Sequence, residues 1–371
     1  MKLTKEQALH CAKVFSDYYD KFNRIDEYMR DEKLNALSTR PFVLPGMGPE
    51  EDLFSDFTMH PNDMEFEVVE LPADRWSSYL DIISSHNNLS SPGRNVRLAV
   101  LEKKTQKWVG FIRIGSPTIM MKPRNDMLGQ VITNLPETTK SFNQATAMGF
   151  VIVPAQPFGF NYLGGKLLAA ICCSHTIREI LNKKYGMNTC LFETTSLYGS
   201  SKSSSQYDGM KPYLRFKGVT ESNFLPMMNG KPYEDIKRYV EDINGGSFVP
   251  DDASSRKLKI INTIIAYTKA ALKGTDEYES FMASIEKAKS LTEKKRYYAS
   301  NYGFSNYTDV VLGKSNTLIP DKENYDKFHL ENIIEWWKKK ATNRFETLRS
   351  EGRIRTEIEV WTGDKELDII R

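Results

Sequence analysis

Hydrophobic positions change their spacing along the chain, and the changes mark out its parts. Across residues 3–38 the apolar side chains of Ala8, Cys11, Val14, Phe15, Tyr18, Phe22 and Ile25 fall on one helical stripe, with Thr4 and Glu6 as a start signal. That pattern predicts an N-terminal helix or helix pair. RPFVLPGMGPEEDLF, residues 40–54, concentrates Pro, Gly and acid and predicts an irregular connector. From Met64 the period shortens to strand-like runs: MEFEVVEL, a helical stretch over 76–85, then VRLAVLEK and WVGFIRIGS, joined as a hairpin by the turn at 103–106. MGFVIVP (148–154) is a further strand, and a long apolar helix over 163–184 follows it, ending at Gly186. TCLFETTSLYG (189–199) reads as a buried strand and YLRFKGVT (213–220) as a short last one.

Strand, helix and strand in this order predict an α/β protein with a mixed or parallel central sheet and crossover helices. Beyond residue 222 the pattern becomes polar helices with modest apolar stripes, near 233–243, 256–272, 277–298 and 328–349. The chain therefore divides into an N-terminal helical arm and connector (1–63), an α/β domain (64–221) and a helical C-terminal extension (222–371).

Composition narrows the classes. With 371 residues, 51 Lys and Arg against 48 Asp and Glu, the net charge is +3, so any polyanion site is a local patch rather than the whole surface. No window of about eighteen apolar residues exists, and the first turns are charged, which predicts a cytoplasmic chain without a membrane association. Cys11, Cys172, Cys173 and Cys190 form no CxxC pair and are expected as buried, reduced thiols; the five histidines form no HExxH, and no metal is expected.

The segment FVIVPAQPFGFNYLGGKLLAAI carries the most chemistry. A strand ending at Val153 and Pro154, a loop with Gly159, Gly164 and Gly165, and a helix beginning near Lys166 would aim free N–H groups and a helix dipole at an anion such as pyrophosphate. The plainer reading is that these glycines let a helix pack closely on a strand. Glu193, an acid within an apolar strand, is either a proton acceptor at a cleft or half of a buried salt bridge with Arg113 or Arg178, or it faces solvent. Tyr207 and Tyr213 are candidate general acids. Arg94, Arg97, Arg113, Lys122 and Arg124 would form a phosphate-contacting rim, or only keep exposed strands soluble. SSKSSSQYDG, from residue 200, is a candidate substrate loop or a plain connector. Trp336, Trp337 and Lys338 to Lys340 mix aromatic and basic groups as single-strand sites do, while Leu330, Ile333, Ile334 and Trp337 form an apolar stripe that turns one tryptophan inward.

The order of hairpin, strand, Gly-rich loop, long helix, strand and late YLRFKG element resembles the core of the GNAT N-acyltransferase superfamily. Within that shape, RWSSYLDIISSHNNLSS, VGFIRIGSP, FVIVPAQPFGFNYLGGKLLAAICC and KKYGMNTCLFETTSLYGSS are similar to the Druantia DruA family over roughly residues 64–220. Carried across, His86 matches the family histidine, Asn161 and Leu163 the helix start, Glu193 and Thr194 the Glu-Thr pair, and Gly199 and Tyr207 the polar loop after it. The family's His-His-Tyr-Leu-Gly reads His86, Asn87, Asn88, Leu89 and Ser90 here, and the tryptophan expected after the tyrosine is absent. A likeness to Mom-type phage enzymes that modify adenine in DNA extends to the general shape only.

The resemblance implies a transferase that modifies nucleic acid in a phage or mobile-element setting, with Glu193, Tyr207 and His86 as catalytic residues. Acetyl-CoA or another phosphate-bearing donor would sit on Val153, Gly159, Asn161, Gly164, Gly165 and Lys166. DNA or another nucleic acid would be met by Arg113, Arg124, Lys338 and Lys339, and a protein partner by the C-terminal helices. The alternatives are a non-catalytic nucleic-acid-binding component of phage defence or counter-defence, or a structural protein that retains the fold. An enzyme requires an open cleft at 159–166 with Glu193 within reach; a binding module would fill that cleft and expose a continuous basic strip.

Overall fold

The structure is a computed structural model that describes residues 2–20, 33–34, 49–84, 93–133, 135–196, 205–220, 228, 230–253, 256–291 and 295–361. In chain order its elements begin with α1 (Lys5–Asp20), β1 (Phe66–Glu70), α2 (Ala73–Ile83), β2 (Asn95–Glu102), β3 (Lys107–Gly115), α3 (Lys122–Leu128) and α4 (Pro136–Ala145). There follow β4 (Thr146–Pro154), α5 (Phe158–Tyr162), α6 (Gly164–Cys172), α7 (His175–Tyr185), β5 (Leu191–Thr195) and β6 (Arg215–Val219). The remainder comprises α8 (Gly230–Asn244), α9 (Arg256–Leu272), α10 (Asp276–Leu291), β7 (Arg296–Ser300), α11 (Tyr307–Val311) and α12 (Leu330–Ser350).

Two compact units emerge, and they do not follow the three consecutive segments read from the sequence. One joins residues 1–28 with 222–293; the other joins 29–221 with 294–371. The first is helical. Thr4 and Gln7 cap α1 reciprocally, Gln7 N–H donating to Thr4 Oγ1 at 3.2 Å and Thr4 N–H to Gln7 Oε1 at 2.9 Å. The predicted stripe of α1 buries Ala8, Cys11 and Phe15 against Ile260, Ile264 and Phe281.

The second unit is built on one seven-stranded sheet of order β1-β2-β3-β4-β5-β7-β6. Only β4 and β5 run parallel; every other neighbour is antiparallel, so the sheet is mixed. Period-two alternation sorts the strand residues onto two faces. Leu98, Val100, Ile112 and Ile152 join the core formed with Leu167 and Leu168 of α6 and Trp337 of α12. Ala99, Phe111 and Val151 face the other way, toward Trp76, Tyr79 and Leu80 of α2. Gly110 marks how tightly α6 lies on the sheet: a Cβ there would stand 2.5 Å from Leu168 Cδ1 and 2.8 Å from the Val153 carbonyl.

Three local differences from the pattern reading have physical reasons. The helix expected over 163–184 is two helices, because Ser174 caps a fresh start, its Oγ accepting from Ile177 N–H at 3.3 Å. The helix expected over 277–298 stops at Leu291, and RYYAS forms β7, whose aromatic run fills the slot between β5 and β6. Helices α3 and α4 are short and polar, with Pro123 and Pro136 in their first turns, and give no apolar stripe to read.

Candidate functional site

Helix α6 starts where the sequence places it, but its N-terminus is covered by the chain itself. A Cβ on Gly165 would lie 2.3 Å from Gln206 Oε1, and the Lys166 ammonium donates to the Gln206 and Asp208 carbonyls at 2.9 and 2.5 Å. A Cβ on Gly164 would stand 2.7 Å from Phe158 Cδ1, and one on Gly159 would meet Gln156 and Pro154, so these glycines serve close packing. Asn161 is fully buried and clamps the C-terminal segment: its Nδ2 donates to the Arg355 carbonyl at 2.7 Å and its Oδ1 accepts from Arg355 N–H at 3.1 Å. Val153 pairs with Phe111 in the β3–β4 ladder and packs on the α2 side.

Tyr207 hydrogen-bonds with the side chains of Thr194 and Gln206, and burial pushes its phenol up to about 12. Tyr213, packed between Phe328 and Trp336, is likewise pushed to about 12 by burial. Beyond Tyr207 the loop is held by Asp208. Its Oδ1 accepts from Arg296 Nη2 at 3.0 Å and from Tyr298 Oη at 2.8 Å, and its Oδ2 from Ser205 N–H at 3.0 Å. Burial alone would raise this carboxyl; the Ser205, Tyr298 and Arg296 donors outweigh it and hold Asp208 below the usual carboxylate range.

Glu193 lies on the opposite face of β5 from Thr194, and therefore on the far side of the sheet from the α6 start. It is wholly buried: Arg124 Nη1 donates to Oε1 at 3.0 Å and Tyr297 Oη to Oε2 at 2.9 Å. Of the readings left open, the salt bridge is the one observed, and its cation is Arg124 rather than Arg113 or Arg178. Burial raises the Glu193 carboxyl, with Arg124 and Tyr297 acting against it. Arg124 is also wholly buried, donates from Nη1 to the Thr118 carbonyl at 2.6 Å and lies 4.3 Å over the Phe142 ring. It is therefore no part of a surface rim. Arg113 is 5% exposed and lies over Phe150 at 5.3 Å. Lys338 pairs with Glu335 at 3.2 Å, while Lys339 is exposed. His86, Gly199 and most of SSKSSSQ lie outside the described residues.

What the fold brings together instead is a basic, aromatic strip along α12. Trp336, Lys340 and Arg344 follow one another at intervals of four, one row on the helix surface. Lys340 lies over the Trp336 ring at 5.3 Å. It also faces Lys166, whose amine is lowered first by burial and then by Lys340, with Asp208 opposing. Phe160 is held between two guanidinium groups, Arg344 at 4.7 Å and Arg355 at 3.8 Å from its centroid. Arg344 is lowered by burial and by Arg353 and Arg355, with Glu351 opposing. The facing acids are Glu351 and Glu359, paired with Arg353 and Arg355. The spacing of Trp336, Lys340 and Arg344 is legible in sequence; the arrival of Phe160 from a distant segment, and of Arg353 and Arg355 from the segment just after α12, is not.

Fold and site together define a mixed α/β protein with a self-covered helix start and a basic aromatic strip; among the described residues no group of three or more metal-ligating side chains occurs, and no helix is long and apolar enough to cross a membrane. Residues 64–205 match the family model described as Druantia protein DruA. The match runs from the segment just before β1 to residue 205, beyond β5, and over that region the chain is similar to the DruA family. No curated protein and no solved structure matches the chain.

Proposed function

We propose that this chain is the nucleic-acid-contacting component of a DruA-type phage-defence system, binding through the strip of Trp336, Lys340, Arg344, Arg353, Arg355 and Phe160. The observation that carries the reading is the mutual opposition of its cations: Lys166 faces Lys340, and Arg344 stands beside Arg353 and Arg355. Like charges held together are relieved by a polyanion, and Trp336 adds a ring on which a base can stack. The covered start of α6 and the burial of Glu193 agree with a binding module more than with a cleft open to substrate.

Fluorescence anisotropy with a labelled single-stranded and a labelled duplex DNA tests this. Wild-type affinity should fall steeply with salt, and Lys340→Glu with Arg344→Glu should weaken binding to all sequences alike and flatten the salt dependence by about one unit of slope per lost contact. Salt-independent binding, or variants that bind as wild type does, would overturn it.

One observation favours a transferase reading. Among the described residues, parallel pairing of β4 with β5 ends at Gly149 and Thr194 while β4 runs on to Pro154, and the carboxyl end of such a parallel pair is where ligands sit in open sheets. For acetyl-CoA or another phosphate-bearing donor to enter, the Gln206 loop must leave α6. Gln206→Ala should then raise acetyl-CoA affinity; a donor that binds neither protein eliminates this reading.

A further inference from the structure

On the edge of the sheet, beside the Arg124–Glu193 pair, whose Glu193 stands opposite Ala299, β6 and β7 form a cavity of about 60 Å³ with α3 and α11. Its floor is apolar, made by Leu191, Ala299, Met127 and Pro212. Its charged groups are of one sign: Arg215 and Lys217 of β6 both line it together with Tyr307, and no carboxylate is among its described lining residues. Asn301, also in the wall, is already committed, its Nδ2 donating to the Phe304 carbonyl and its Oδ1 accepting from Gly303 N–H. Ser300, the remaining polar residue of the wall, accepts from Tyr302 N–H at 3.5 Å, and the charged and phenolic groups left to meet a ligand are two cations and a phenol, all able to donate.

From this geometry we infer that the cavity is a phosphoryl-binding pocket, taking either a free phosphate-bearing small molecule or the terminal phosphate of a nucleic acid. A space of this size admits a few water-sized groups, and so a single phosphoryl group rather than a whole nucleotide. A guanidinium and an ammonium answer its charge, Arg by fork-like donation and Lys as a point charge, and the Tyr307 hydroxyl supplies a third donor. Arg215 is close enough to Tyr307 to draw its phenol down against the rise that burial causes, which places both around the same space. Charged residues on an edge strand also block edge-to-edge association, a role that needs no cavity, no phenol and no matched sign.

The test uses the full chain and three probes: inorganic phosphate, a nucleoside monophosphate, and a short oligonucleotide with or without a 5′-phosphate. Calorimetry and phosphate-dependent thermal shift are read for wild type, Arg215→Gln and Tyr307→Phe, both of which keep the apolar floor. Saturable binding of free phosphate or monophosphate, weakened about tenfold or more by Arg215→Gln and less by Tyr307→Phe, supports the pocket and assigns a small-molecule source. A preference for the 5′-phosphorylated oligonucleotide that Arg215→Gln abolishes supports it and assigns a nucleic-acid end. Free phosphate reports on this pocket and the unphosphorylated oligonucleotide on the strip of α12, so the two sites are read separately. Absence of saturable binding to any probe, or equal binding by wild type and Arg215→Gln, overturns the inference.

Discussion

Gln206 lies over Gly165 so closely that its Oε1 is 2.3 Å from where a β-carbon would be, whereas Gly110 is hemmed in by Leu168 Cδ1 at 2.5 Å and the Val153 carbonyl at 2.8 Å. The two glycines look alike in sequence and differ in what surrounds them. Gln206 is the free end of a side chain and can swing aside; the β4 backbone cannot. Gly165→Ala should therefore change stability by less than about 1 kcal/mol, the helix preference for Ala offsetting the contact, while Gly110→Ala should cost about 1–3 kcal/mol through overpacking. Urea unfolding of both variants checks the contrast, and equal losses would contradict it.

The Arg124–Glu193–Tyr297 network predicts strong coupling. Removing one partner leaves a buried charge unpaired, so Arg124→Met should destabilise by about 3–5 kcal/mol. Adding Glu193→Gln to that variant should restore part of the loss, because the orphaned carboxylate is gone. A double-mutant cycle reads the coupling directly; strictly additive losses would show that the pair is energetically unimportant.

These contrasts explain how much was legible in the chain. Short apolar runs bounded by turn residues gave β1 to β5, and the stripe containing Ile333 and Trp337 turned that tryptophan inward, where its indole N–H donates to the Tyr162 carbonyl at 2.9 Å. The order of β7 and β6 was not readable, because it depends on pairings across about a hundred residues. The site suffered for the same reason. An acid in an apolar strand announces that Glu193 needs a partner, but whether that is Arg113, Arg178 or Arg124 is decided by where α3 packs. A glycine-rich helix start likewise looks the same in sequence whether a phosphate or Gln206 covers it.

Thiol chemistry offers a simple check on burial. All four cysteines are buried and unpaired with one another. Burial pushes the Cys11 thiol up to about 11, and those of Cys173 and Cys190 to about 12, so little thiolate exists at neutral pH. A colourless disulfide reagent that releases a dye should titrate almost no thiol in the folded protein at pH 8 and four in denaturant. Rapid reaction of the native protein would show that one of these positions opens.

His175 contributes a pH dependence of stability between about 4 and 6.5. It begins α7, where the helix dipole opposes a positive charge; its Nε2 lies 3.0 Å from the Tyr325 carbonyl, and its ring is 4.2 Å from the Tyr325 ring. That contact assigns the neutral tautomer with the proton on Nε2. Burial is the main reason its pKa falls to about 4, aided by His329 and Arg178 and opposed by the Tyr325 carbonyl and Asp326. In the unfolded chain the ring titrates near 6.5, so between that value and about 4 the unfolded state binds more protons. The stability that the depressed value contributes is complete above 6.5 and is lost as pH falls toward about 4, amounting to at most about 3 kcal/mol. His175→Gln keeps a donor for Tyr325 and removes the titration. Its unfolding free energy should be lower than wild type at pH 7 but nearly level between pH 6.5 and 4.5, whereas wild type should decline across that interval. Parallel declines in the two proteins would mean that another group governs the window.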